Sequence, residues 1–288
     1  MRFIVLGDIG KAKYVNELLK LDLRKYDFVL LTGDISGTPE GWKIGKARGM
    51  GDKSYIPAGK TPKIFYKELL QPNIAKLRKI DCIVNDIKDY TKVFSIWGNT
   101  DFNFVVSEVK LKNIEIIHNK VVNINGFYLT GYNGHPIYPW EITEPNKKDI
   151  FGYTHKETAK ELHSFREEEI YADLTAVTKK LASRKVIVVT HSPPYKILDK
   201  VLTKLIPWSV KSYGNISKEG NIGSTGLRKY LFEFKPILSV FGHVHEAKGI
   251  KKMDGTTFIN AGIFNEQLEF VDVRIDDNIV NEQYRRIE

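Results

Sequence analysis

The stretch Ile237-Leu238-Ser239-Val240-Phe241-Gly242-His243-Val244-His245 decides how this chain is read: a short apolar run, a glycine, then two histidines at alternating positions. Four other runs end in a similar way. Residues 3–6 lead to Gly7-Asp8, residues 28–32 to Gly33-Asp34, residues 93–97 to Gly98-Asn99, and residues 186–190 directly to His191. Apolar runs this short, bounded by turn residues, read as buried strands. Each therefore delivers a metal-binding type of side chain at a strand end.

Helical spacing of apolar residues fills the intervals at 12–24, 63–90, 156–184 and 224–234, and this alternation predicts a largely parallel sheet. Two hairpins add antiparallel structure. Residues 120–124 and 127–131 flank Asn125-Gly126, while 268–275 and 279–285 turn near Asp277-Asn278. With no internal repeat and no Pro/Gly/Ser-rich linker, the expectation is a single domain over 1–288. Two excursions interrupt it, a Gly- and Lys-rich segment at 41–61 and a segment at 134–150 that carries Pro136, Pro139 and Pro145.

Composition narrows the class. With 42% hydrophobic and 27% charged residues and no low-complexity tract, a disordered chain is excluded and a packed core is expected. The single cysteine, Cys82, excludes an internal disulfide framework and a Cys-rich zinc knuckle, and reads as a small buried residue of a reducing compartment. The apolar run in MRFIVLGDIG stops too soon for a signal peptide or a spanning helix, so the expected location is the cytoplasm, with no membrane partner. A formal charge of +9 favours anionic ligands, although a basic surface also serves solubility alone.

In an open α/β sheet the carboxyl ends of parallel strands share one edge, where ligands bind. Glycine before Asp8, Asp34, Asn99 and His243 suits a sharp exit that aims the next side chain into that crevice. Two carboxylates, one amide oxygen and three imidazoles make a mixed oxygen and nitrogen donor set, suited to Mn, Fe, Zn, Co or Ni rather than to calcium. Two divalent ions so held can clamp a phosphate during in-line displacement. Gly7 to Lys11, GDIGK, lacks the spacing of a P-loop and is not read as one.

The motifs Gly7-Asp8, Gly33-Asp34, Gly98-Asn99-Thr100-Asp101, Thr190-His191 and Gly242-His243-Val244-His245 stand in the order of the calcineurin-like metallophosphoesterase signature, which the chain resembles from Asp8 to His245. Thr190-His191-Ser192-Pro193-Pro194-Tyr195, with Gly223-Ser224, is further similar to an archaeal and bacterial branch of predicted phosphoesterases. The resemblance implies a four-layer α/β sandwich, two mixed β-sheets packed face to face with helices outside and two divalent metal ions at their shared edge. It implies that Asp34 bridges both ions, that Asn99, His191 and His243 complete one site, and that Asp8 and His245 belong to the other. The nucleophile would be a bridging hydroxide, accessible near neutral pH because metals lower the pKa of bound water to about 7.

Two positions depart from the family pattern. Gly10 stands where the Asp-x-His histidine is usual, which leaves one metal site short of a ligand and weak unless a loop histidine, His135 foremost, supplies it. Thr100 replaces a histidine thought to protonate the leaving group, and His135 and Tyr195 are the substitutes considered. Asn99, His135, Tyr195 and Ser224 are assigned to substrate binding, Ser224 also being a natural helix cap. Lys43, Lys46, Arg48, Lys53, Lys60 and Lys63 alternate with Trp42, Tyr55 and Phe65 as a lid or a nucleic-acid surface. The leading reading is a hydrolase of phosphodiesters or phosphomonoesters acting on a phosphorylated small molecule. A catalytically weakened binding module or scaffold, and a nuclease, stand beside it.

Overall fold

The computed structural model describes residues 1–50, 56–137, 142–201 and 220–288. Two six-stranded mixed sheets form its centre. In the first, the order across the sheet is Ile279–Arg286, Glu269–Asp276, Arg2–Leu6, Phe28–Leu31, Lys92–Ser95 and Glu115–Ile116. In the second it is Gly249–Met253, Thr256–Asn260, Leu238–Phe241, Val186–Thr190, Phe127–Tyr132 and Val121–Ile124. The central strands of each run parallel, and both sheets take antiparallel edges from the hairpins. One largely parallel sheet was the expectation from the sequence pattern, and the five apolar runs instead divide three to the first sheet and two to the second.

Side chains alternate across a strand, so a strand buried on both faces must be apolar throughout. Phe3, Val5, Phe28, Leu30 and Phe94 join Ile187, Val189, Leu238 and Val240 in the core between the sheets. Their neighbours Ile4, Leu6, Val29 and Leu31 point the other way, onto Leu77, Ile80 and Val84 of the helix Gln71–Ile87. On the second sheet Val186 and Val188 meet Ile170, Leu174, Leu227 and Leu231 of the helices Glu167–Thr178 and Thr225–Phe234. The layers are therefore helix, sheet, sheet, helix.

Both turns named from sequence close their hairpins with paired left-handed residues, Asn125 at φ 52° with Gly126 at 81°, and Asp277 at 49° with Asn278 at 64°. The helices are more broken than the periodicity suggested. The 63–90 pattern is two helices, Pro62–Leu69 and Gln71–Ile87, because Pro72 cannot donate to the preceding turn and its ring crowds it. The 156–184 pattern splits into His155–Glu161 and Glu167–Thr178, since Ser164–Phe165 is drawn out to pair with His135–Pro136. In the 12–24 stretch only Ala12–Asn16 is α-helical, followed by 3₁₀ turns at Glu17–Lys20 and Leu23–Lys25.

The 41–61 excursion is helical over Pro39–Met50, and Lys53, Tyr55 and the side chains of Trp42, Lys46 and Arg48 lie outside the described residues. Lys60 pairs with Glu68, and Lys63 sits 4.8 Å over the Tyr153 ring, so these two cations are engaged locally. In the 134–150 segment Pro139 is likewise outside the described residues. Cys82 is exposed on the helix Gln71–Ile87 rather than buried. Among the described residues no helix is long and apolar enough to cross a membrane.

The inter-sheet core is dense with aromatics: Phe3 stacks on Phe28 at 4.4 Å and Phe94 meets Phe28 edge-on at 5.7 Å. Truncation of Phe28 to alanine is expected to cost about 3–5 kcal/mol in urea unfolding, because the cavity opens between two sheets that cannot both collapse into it.

Candidate metal centre

The six side chains of the expected site come together where the two sheets share an edge. Asp34 and Asn99 follow strands of the first sheet, as does Asp8, which itself pairs with Ile263 in a separate two-stranded sheet, and His191, His243 and His245 follow strands of the second. Asp8 and His191 are buried, while Asp34, Asn99, His243 and His245 are half-buried and open the cluster to solvent on one side.

His191 is the centre of the arrangement. Its Nδ1 lies 2.9 Å from the Thr32 carbonyl, which accepts the proton there. In the neutral ring its Nε2 then offers a lone pair, and it faces Asn99 Oδ1 at 2.8 Å, His243 Nδ1 at 3.1 Å and Asp34 Oδ2 at 3.6 Å. Donor atoms bound to one ion at about 2.0–2.2 Å sit about 2.8–3.6 Å from one another. The three separations fall in that range, and the donor chemistry suits a divalent cation. Asp8, Asp34 and His191 each offer a ligand atom within 4.8 Å of the other two.

The second half of the cluster pairs His245 Nε2 with Asp8 Oδ2 at 2.6 Å, and the His243 backbone N–H donates to Asp8 Oδ1 at 3.3 Å. Burial pushes the Asp8 carboxyl up, but the charge and hydrogen bond of His245 overcome it and leave it below its ordinary value. Burial likewise disfavours charge on His245, and Asp8 reverses that, so its pKa is raised. Asp34 behaves differently. Burial drives it up to about 6, opposed by His191 and reinforced by the nearby charges of Asp8 and Asp101. Burial also opposes charge on His191, but Asp34 and Asp8 hold its pKa above normal. Carboxylates and imidazoles are thus crowded beyond what they can neutralise comfortably among themselves, which is the electrostatic condition that draws in cations.

The glycines have a different task from the one expected. Of these four only Gly33, at φ 93°, needs a left-handed backbone, and positive φ values fall on the residues that follow two of them, Asp34 at 50° and His243 at 65°. A Cβ on Gly98 would stand 2.1 Å from Asp34 Oδ1, and one on Gly242 would stand 2.5 Å from Asp8 Oδ1. These glycines keep room for the carboxylates. Position 10 is also tight: a Cβ there would meet the Phe264 carbonyl at 3.2 Å, and the Gly10 N–H already donates to that carbonyl at 2.9 Å.

His135 is buried beside the cluster, its ring parallel to that of His243 at 6.2 Å. Its Nδ1 meets the Pro136 carbonyl at 2.7 Å and its Nε2 the Ser164 hydroxyl at 3.3 Å; burial lowers its pKa to about 3. It is a neutral wall of the site. Ser224 takes the capping role: it caps the helix Thr225–Phe234 by accepting from the Leu227 N–H at 2.9 Å and donates to Glu167 at 2.5 Å. Tyr195 is held through its backbone, its carbonyl accepting from Arg228 at 2.9 Å and its N–H donating to the Ser224 carbonyl at 2.9 Å.

Four residues without an assigned role in the sequence reading hold the site together. Asp101 accepts from Gly98, Ile35 and Ser36 backbone N–H groups at 2.9, 3.2 and 2.7 Å, tying the Asn99 loop to the Asp34 loop. His163 donates from Nε2 to the Asp101 carbonyl at 2.7 Å and sits at φ 51°, which ends its helix. Asn260 donates to the carbonyls of Val244 and Leu198 at 2.8 and 2.9 Å, fixing the turn between His243 and His245. Lys76 reaches from the helix Gln71–Ile87 to the carbonyls of Ile9 and Gly37. Asp101, two residues beyond Asn99, was visible in the motif; the other three act across distances that no local pattern reports.

The sequence matches the calcineurin-like phosphoesterase family over residues 1–247. The chain belongs to that family. One solved crystal structure is similar along 100% of this chain and 99% of its own, at a TM-score of 0.62 and 14% identity, which shows a shared fold. Looser matches include phosphopantetheinyl hydrolase from Mycobacterium tuberculosis, with 12% identity, TM-score 0.40 and coverage of 91% of this chain and 88% of that one. Another is the sulfate thiohydrolase SoxB from Thermus thermophilus, with 11% identity, TM-score 0.43 and coverage of 96% and 42%. No curated protein matches the sequence.

Two substitutions separate ligand geometry from scaffold. Gly98→Ala is expected to weaken manganese binding by roughly tenfold or more, read by isothermal titration, because the new methyl would crowd both the carboxylate and the backbone nitrogen of Asp34. Ser224→Ala is expected to cost about 1–2 kcal/mol of stability in urea unfolding and to leave manganese binding as it was.

Proposed function

We propose that this member of the calcineurin-like phosphoesterase family is a metal-dependent hydrolase of phosphate esters. Its ligands are Asp8, Asp34, Asn99, His191, His243 and His245. The observation that supports the reading most is the convergence at His191 Nε2: with the ring's other nitrogen committed to Thr32, that atom lies 2.8 Å from Asn99 Oδ1, 3.1 Å from His243 Nδ1 and 3.6 Å from Asp34 Oδ2. A cation would take the place of the proton that the crowded carboxylates otherwise favour on that ring. Two divalent ions would supply Lewis acidity toward the phosphoryl oxygens and a water acidic enough to attack near neutral pH.

The chain's own residues do the rest. Asp34, with one oxygen accepting from the Thr100 N–H at 2.7 Å, keeps the other turned toward His191 at 3.6 Å, where it would be available to hold a cation. Asn99 and the half-buried rim of His243 and His245 face the open side, where a phosphate group would enter. Thr100 carries no titratable group, so position 100 supplies no leaving-group proton. That favours esters with acidic leaving groups, since positioned proton transfer is typically worth about 10² to 10⁴ in rate.

Purified protein with added manganese is expected to hydrolyse bis-p-nitrophenyl phosphate or p-nitrophenyl phosphate, chelation with EDTA should stop it, and Asp34→Ala should reduce it to background. Turnover that survives Asp34→Ala would refute the mechanism. Full manganese binding without turnover on either ester would instead favour a scaffold that has kept the centre and lost the chemistry.

A further inference from the structure

The family pattern leaves one metal site short of a ligand at Gly10. What lies next to that point is an ammonium group. Lys76 is half-buried on the helix Gln71–Ile87, and its Nζ donates to the Gly37 carbonyl at 2.5 Å and to the Ile9 carbonyl. Ile9 follows Asp8 directly, and Gly37 lies three residues past Asp34. The two loops are themselves joined, the Ile9 N–H donating to the Asp34 carbonyl at 3.2 Å. Lys76 thus inserts a positive charge at the junction of the two chain segments that carry the carboxylates.

A buried charge needs partners, and a simple tether between helix and loops does not need a charge at all. Burial pulls the Lys76 pKa down to about 8, and the negative charges of Asp101, Asp34 and Asp8 limit the fall, so the group remains largely protonated at neutral pH. The carbonyls of Ile9 and Gly37 do for this ammonium what they would do for a bound cation. We propose that Lys76 is a resident cation of the centre, taking up negative charge beside Asp8 and Asp34 so that one divalent ion is held tightly and the second only weakly. The inference rests on the metal-dependent reading above. It makes the Gly10 position part of a changed charge balance rather than a simple loss, and it makes Lys76 a positioning residue, not a catalytic one.

Metal binding tests it without recourse to turnover. Manganese titration of the full chain, followed by isothermal calorimetry and by the electron paramagnetic resonance of free Mn²⁺, is expected to show one tight and one weak site. Removal of a unit charge several ångströms from a divalent ion in a half-solvated crevice strengthens its binding by about tenfold or more. Lys76→Met and Lys76→Gln should both bind the second ion at least that much more tightly, and Lys76→Arg should resemble the wild type. Glutamine keeps a donor for the carbonyls and lacks the charge, so it separates charge from tether and also decides the matter if Lys76→Met fails to fold. Second-site affinity in Lys76→Gln that stays at or below the wild-type value, in a wild type that binds manganese and hydrolyses ester, overturns this inference alone. A wild type that binds no manganese overturns the metal-dependent reading and this inference with it.

Discussion

Everything at this site follows from one electrostatic constraint: groups that carry lone pairs or negative charge are forced together where there is too little water to separate them. His191 Nε2, His243 Nδ1, Asn99 Oδ1 and Asp34 Oδ2 point at a common region, and Asp8 lies one imidazole away. The protein meets part of the resulting cost internally. His245 takes charge beside Asp8, Asp101 accepts three backbone N–H groups that bind the loops together, and Lys76 stands next to Ile9. A bound cation would relieve the unmet part of that cost, so the same crowding is what would give the cluster a use.

The five strand ends were legible because the physics that makes them is local and repetitive. A strand covered on both faces must be apolar at every position, and the first polar residue after it must lie at the edge of the sheet. Phe28 to Leu31 and Val186 to Thr190 show that rule in full, with no exposed position in either. The rule is silent about how strands are shared out, so the run pattern alone suggests one parallel sheet, and it was the family resemblance that implied the two mixed sheets the chain builds. The two hairpins were legible for the same local reason, since Asn125-Gly126 and Asp277-Asn278 accept left-handed backbone readily.

What was not legible depends on contacts far apart in sequence. Glycine at 98 and 242 looked like a matter of backbone freedom, yet these residues are needed for the space taken by carboxylates from other loops. Ser224 offered both a cap and a substrate contact, and only the position of Glu167 shows that the hydroxyl is fully used. The break at Pro72 was written in the sequence and was outweighed by unbroken periodicity on either side; the break at His163 was not, because it exists to let Ser164 reach His135. Lys76 has no neighbouring signal at all, being one of 44 basic residues until a helix packs it against two loop carbonyls.

The division of the ligands between two sheets has a mechanical meaning. Three of the proposed six come from each side of a seam packed with side chains such as Phe3, Phe28, Ile187 and Val240. Ions held by both halves would act as rivets across that seam, so loading should stiffen the whole sandwich and small slippage of one sheet on the other should retune the spacing of the ligands. Packing deep in the interior and chemistry at the rim are, in this architecture, adjustments of the same dimension.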